Sequence, residues 1–196
     1  MLQAQDDPAP DRGIRLQSRL LSMLFLLLFV LAAPWAAYMV GAFLLRIDRM
    51  AAMVDTGFAF EPLPWLEGTG WPQGFTPISH FAVWQSLLIA MLLAMRLLPG
   101  LVILWHLRML FCLYASGQVF SARNALQVRR IARALLAYAL VPLITHASLY
   151  FAHVSTHVFK WEIRQLDALV AGLVLITVAR VMQFGHEIER DRDGFV

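Results

Sequence analysis

Three of the chain's six histidines, His146, His153 and His157, fall within the thirteen residues THASLYFAHVSTH. Imidazole ligates zinc and haem iron, and it changes charge near a pH of about 6.5. On one unbroken helix, His146, Tyr150, His153 and His157 share an arc of about 60° at ~100° per residue. His153 and His157 are then about 6 Å apart along the axis and can share one metal ion, with bonds of about 2 Å. His146 lies about 10 Å below His153 and cannot join them without a bend. Two histidines do not complete a site, so a third ligand must come from His80, Asp55, Glu61, Glu67 or Asp167. Haem would need one axial histidine here and another from a second helix, for which His80 is the candidate. His153 and His157 are therefore the metal candidates. The sequence requires no cofactor, and haem or a divalent metal stands as the alternative. Two simpler readings compete: a pH-responsive cluster, and amphipathic side chains gathered where a membrane span meets water.

A second chemistry-bearing stretch is FSARNALQVRRIARALL. At helical spacing Val128, Ile131 and Leu135 share one face. Arg123, Arg129, Arg130 and Arg133 fall within an arc of about 120° on the other. Such a surface can rest on anionic lipid, each arginine contributing about 1 kcal/mol, or dock an acidic partner or regulator. No reading element or interleaved aromatic accompanies it, so direct nucleic-acid binding is not expected.

Other catalytic signatures are missing. The sequence has no glycine-rich phosphate loop ending in Lys-Ser/Thr, no His-Glu-x-x-His helix and no Gly-x-Ser-x-Gly elbow. Cys112, the single cysteine, excludes an intramolecular disulfide and reads as a packing residue between Phe111 and Leu113. Arg96 and Arg180 have no acidic partner at matching depth, which argues against a pump or carrier. A non-enzymatic role is expected.

The elements that position these residues follow from composition. The chain has 196 residues, 60% hydrophobic and only 15% charged, with a mean hydropathy of +0.65. A soluble domain of this size cannot bury so much apolar surface. The expected fold is all-α, a polytopic membrane protein with four transmembrane helices over about 20–45, 80–99, 134–152 and 165–184. The four-helix domain covers 19–184. A tail, 1–18, precedes it and another, 185–196, follows. An outer loop, 46–79, is rich in Pro, Gly and Trp and reads as irregular. A connection, 100–133, joins spans two and three. From His80 to Tyr114 the apolar stretch is too long for one bilayer crossing. It either projects beyond the membrane or bends at Pro99 and lies along the interface. Gly117 should end that helix and Ser121 should cap the next. The first span has basic residues before it, as a signal peptide does, but its length favours an uncleaved anchor.

Fifteen of the sixteen basic residues are arginine, a bias expected of a GC-rich bacterial genome. Ten basic residues flank one end of the spans (Arg12, Arg15, Arg19, Arg108, Arg123, Arg129, Arg130, Arg133, Arg190 and Arg192), and four flank the other (Arg46, Arg49, Lys160 and Arg164). The positive-inside rule then puts both termini in the cytoplasm of a bacterial inner membrane.

GQVFSARNALQVRRIARALL resembles the linker of a family of small bacterial four-span membrane proteins catalogued as domain of unknown function 2975. Gly117, Phe120, Ser121, Asn124, Arg129, Arg130 and Arg133 carry that resemblance. In the tail GHEIERDRDGFV, Gly185, Ile188 and Val196 fit the family's ending, with Ile188 in place of the usual leucine. Arg190, Arg192, Gly194 and Phe195 depart from its more acidic pattern. The family has no established activity. Some members resemble partners of small helix-turn-helix regulators encoded nearby. The resemblance thus implies a membrane sensor or a regulatory partner of a cytoplasmic protein. The alternatives are a haem- or metal-binding redox protein and an assembly subunit of a membrane complex. The lipid bilayer, a cytoplasmic regulator and a second copy of the chain are the expected partners.

Overall fold

A computed structural model describes the backbone of residues 12–47, 50–53, 60–62, 75–117, 121–154 and 163–193. The side chains of 12, 50–53, 60–62, 164 and 186–193 are outside that description. Four helices dominate: α1 (Arg12–Leu44), α2 (Val83–Ala115), α3 (Ala122–Phe151) and α4 (Ile163–Asp193). All four are long and apolar enough to cross a membrane, over Gly13–Leu44, Val83–Ala115, Ala122–Phe151 and Gln165–Gly185. The chain is an all-α, four-helix membrane protein. Lipid explains what water could not. Leu20, Met23, Leu27 and Leu31 form an exposed stripe on α1, and Val170, Leu173, Val174 and Val181 remain exposed on α4. Apolar patches of that extent are rare on soluble monomers.

Successive helices pack in chain order, α1 on α2, α2 on α3 and α3 on α4. The α1–α2 pair is antiparallel. At one end the Ser86 hydroxyl donates to the Phe43 carbonyl at 2.5 Å. At the other, Phe25 stacks on Phe111 at 5.5 Å, and Phe29 meets Trp105 at 5.3 Å. In lipid there is no hydrophobic force between spans, so close backbone approach matters. The α3–α4 contact uses small residues for this. Ala132 carries its carbonyl against Gly172, and Ala125 and Ala139 are buried on the same face of α3. One apolar cluster joins Leu110 of α2, Val128 and Ile131 of α3 and Ala179 of α4, with Leu135 packed against it. The face expected for Val128, Ile131 and Leu135 is thus the inward one.

The helices run beyond the expected spans. Residues 12–18 belong to α1, and the backbone of α4 continues through the expected tail to Asp193. Most of the connection 100–133 is helix as well. Among its described residues only Ser116, Gly117 and Ser121 are outside a helix, and residues 118–120 lie outside the described residues. Pro99 does not turn α2 along the interface, because α2 contacts α1 near both of its ends. At ~1.5 Å per residue α2 is about 50 Å long and α3 about 45 Å, against a hydrocarbon core of about 30 Å. Gly117 ends α2 with a φ of 84°, and the Ser121 hydroxyl accepts the Asn124 amide at 3.3 Å, as expected.

The loop over 46–79 is not wholly irregular. β1 (Met50–Met53) pairs antiparallel with β2 (Phe60–Pro62) on one side and β3 (Phe75–Pro77) on the other. Strands of three or four residues give no readable alternation. Trp65 and Trp71 lie outside the described residues. A single turn, Ile78–His80, then leads towards α2, with Ile78 fully buried beside Phe43, Ile89 and Leu149.

Candidate functional site

The helix expected to carry the histidine stripe stops before His153. The α3 helix ends at Phe151, six residues short of His157. His153 adopts a left-handed φ of 55°, and the Val154 amide reaches back to the Leu149 carbonyl at 3.0 Å. That six-to-one bond is a Schellman cap, with His153 where glycine usually stands. Leu149 and Val154 are both buried in one cluster, the apolar contact that accompanies such a cap. The helical geometry that paired His153 with His157 is therefore lost at His153 itself. His146 is buried, whereas His153 is exposed, and His157 lies outside the described residues. Of the third-ligand candidates, His80 and Asp167 are exposed, while the side chains of Asp55, Glu61 and Glu67 lie outside the described residues. Among the described residues no three His, Cys, Asp or Glu side chains are grouped to hold a metal ion.

This end of the molecule is fastened by a residue not expected to matter. Arg46, with a φ of 54°, stands in the same left-handed position after α1, and the Ile47 amide bonds the Ala42 carbonyl at 2.9 Å. The Arg46 guanidinium donates to the carbonyls of Ser79 and Phe81 at 2.8 and 2.7 Å. It thereby ties the end of α1 to the start of α2. Nothing in sequence spacing links Arg46 to Ser79 and Phe81.

The arginine-rich end carries the more developed site. Arg123, Arg129, Arg130 and Arg133 are all exposed on α3. They do not share one environment. Arg130 and Arg133 line a cavity of about 360 Å³ between α2 and α3, with Ala134 and Ala137 on the α3 wall. The α2 wall is Leu98, Pro99, Val102 and His106. None of these lining residues is acidic. His106 Nδ1 lies 2.8 Å from Gln127 Oε1. An amide oxygen only accepts, so Nδ1 donates, and the buried Gln127 amide is satisfied across the helix pair. This bond fixes which edge of α3 faces α2. Neither His106 nor Gln127 was singled out from the sequence. The signal was available: a titratable side chain inside the apolar run LVILWHLRML is uncommon in a span.

Other cations at this end have defined places. Arg108 Cζ lies 5.1 Å from the Trp105 ring centre. The Arg15 guanidinium abuts Gly117, where a Cβ would lie 3.3 Å from it. There its charge faces the negative end of the α2 dipole. Arg96 is half-buried and Arg180 exposed, both within helices. Cys112, expected as a packing residue, lies against α1. It is exposed, with its Sγ 3.0 Å from the Ser22 hydroxyl of α1. Sequence could not distinguish an apolar neighbourhood in lipid from one in a protein core.

A second cavity of about 450 Å³ has walls from all four helices, including Trp35, Leu101, Tyr138 and Ala168. Its lining is apolar apart from the Trp and Tyr heteroatoms, and it carries no charged group. Comparison with protein-family models, with curated proteins and with solved structures finds no match.

Proposed function

We propose that the chain is a non-enzymatic sensor or regulatory partner in a bacterial inner membrane. In this reading both termini are cytoplasmic, and the arginine-bearing end of α3 meets a cytoplasmic protein with an acidic surface. The observation that supports it best is the exposure of Arg123 and Arg129 on a helix about 15 Å longer than the hydrocarbon core. Arg123 lies in the first turn of α3, about 42 Å along the axis from Phe151, where charge is free of lipid. The resemblance to domain of unknown function 2975 points the same way, since some of its members resemble partners of small regulators.

The test is affinity purification of the full chain, at native expression, in a mild detergent. A cytoplasmic DNA-binding protein should co-purify, should dissociate as salt rises past about 0.15 M, and should be lost with Arg123→Glu plus Arg129→Glu. A partner retained by that double variant, or the absence of any stoichiometric partner, would refute the reading. Sidedness is tested separately. On a Cys112→Ser background, Asp193→Cys should react with an impermeant maleimide only after the cells are opened.

A further inference from the structure

We propose that the pocket between α2 and α3 is a binding site for one anionic phospholipid. Its phosphate would lie on Arg130 and Arg133, and its acyl chains would run along the apolar wall. The inference goes beyond the partner reading and does not depend on it. It needs only the membrane-spanning architecture.

Depth is the first argument. Phe151 is large, apolar and exposed at the end of α3, and on this proposal the hydrocarbon begins at its level. From Phe151, Ala137 lies about 21 Å along α3, Arg133 about 27 Å and Arg130 about 32 Å. On α2, counting from the exposed Val83, Leu98 lies about 23 Å along and His106 about 35 Å. The α3 wall therefore changes from apolar to cationic, and the α2 wall from apolar to a polar imidazole, at about the thickness of the hydrocarbon core, about 30 Å. The pocket straddles the boundary between acyl chains and headgroups, with its apolar end inward.

Chemistry is the second argument. Two guanidiniums about one helical turn apart suit the several oxygens of a phosphate diester. No carboxylate lines the pocket to neutralise them. The remaining walls, Leu98, Pro99, Val102, Ala134 and Ala137, offer only apolar surface. A free phosphate would leave that surface unused, and an acyl chain without an anionic headgroup would leave the arginines unused. An amphiphile with one anionic head uses both. Basic pockets between spans are places where anionic headgroups bind.

A film of counter-charge spread over all four arginines would give a different result from a built pocket. The test uses the full chain in detergent, with native mass spectrometry of bound phosphatidylglycerol and phosphatidylcholine added at equal concentration. Each arginine contributes roughly fivefold in affinity for an anionic surface, so Arg130→Gln with Arg133→Gln should lower phosphatidylglycerol retention about thirtyfold. Arg123→Gln with Arg129→Gln should change it less than about threefold. Ala137→Phe keeps every charge and fills the apolar wall, and it should abolish most of the preference for phosphatidylglycerol. Circular dichroism confirms that each variant keeps its helices. Equal loss from the two arginine pairs, or retention unchanged by Ala137→Phe, would overturn the proposal. Protection from thermal unfolding by inorganic phosphate as strong as that by phosphatidylglycerol would also overturn it, in favour of a site for the free anion.

Discussion

Replacing Gly172 by alanine should destabilise the protein, whereas the same change at Gly100 should not. A glycine inside a helix gives up more conformational freedom on folding than an alanine does, so Gly→Ala at an open position stabilises by about 0.5–1 kcal/mol. At Gly100 a new methyl group meets nothing within 4 Å. At Gly172 it would lie 3.0 Å from Leu136 Cδ2, 3.1 Å from Leu136 Cγ and 3.2 Å from the Ala132 carbonyl oxygen. The leucine can change rotamer. The carbonyl is held by the α3 backbone and cannot, so α4 must retreat. Overpacking of this kind costs about 1–3 kcal/mol. After the backbone gain is subtracted, Gly172→Ala should lose about 0–2 kcal/mol, and the gap between the two variants should be about 1–3 kcal/mol. Reversible unfolding in mixed micelles, titrated with SDS and followed by circular dichroism, measures that gap directly. Gly41→Ala, also at an open position, is a second control. Gly172→Leu should be more destabilising than Gly172→Ala, because lipid supplies no competing force to close the interface again. Stabilities within about 0.5 kcal/mol for Gly172→Ala and Gly100→Ala would refute close α3–α4 packing as the reason for this glycine.

Three further outcomes use the same unfolding assay. His106→Ala leaves the buried Gln127 amide without its 2.8 Å partner and should cost about 1–3 kcal/mol; His106→Leu with Gln127→Leu should recover most of that, and a double variant no better than the single would refute the bond. His153→Gly should raise stability by up to about 1 kcal/mol because glycine accepts a left-handed φ, and His153→Val should lower it; the reverse order would show that the α3 cap has been misplaced. Arg46→Ala loses two hydrogen bonds from a charged donor and should cost about 1–3 kcal/mol, with Arg46→Lys recovering only part, since one ammonium does not reproduce a planar fork.

Where the sequence was legible, one physical signal dominated. Four long apolar runs in a chain of 60% hydrophobic residues leave little choice of architecture, and the Gly117 and Ser121 end signals fell where local rules put them. Where it was not, the deciding contact was non-local or the local signal was weak. The α3 helix had no glycine or proline to mark its end at Phe151. The stop depends on Val154 packing with Leu149, in a cluster that also includes Phe43 and Ile89 from other helices. A histidine in the left-handed position is uncommon enough that continuing the helix to His157 was the natural expectation. The small sheet failed for another reason. Its strands are too short for a period of two to show, and their pairing spans up to 26 residues, from Ala51 to Pro77.

The arginines show how far a pattern along one helix can reach. On α3 alone, Arg123, Arg129, Arg130 and Arg133 form one basic surface with one meaning. The neighbouring helix divides them. With Arg130 at zero on the helical wheel, Arg133, Ala134 and Ala137 fall within about 60° of it, and Gln127 lies about 60° to the α2 side. The Gln127–His106 bond therefore turns Arg130 and Arg133 onto the rim of the gap beside α2. Arg129 lies about 100° away, outside that gap, and Arg123 is two turns further towards the helix start, about 10 Å along the axis. That distance is a little more than the Debye length of about 8 Å at physiological salt, so Arg123 is partly screened from Arg130 and Arg133 in water, whereas Arg129 is set apart from them by its direction alone. Charge alone cannot make the division, because all four residues are the same. It comes from a polar contact between residues 106 and 127, and from the change along the α3 wall from apolar to cationic. On the proposed reading one pair of arginines then faces the bilayer's own anions, while the other is left for whatever approaches from the aqueous side.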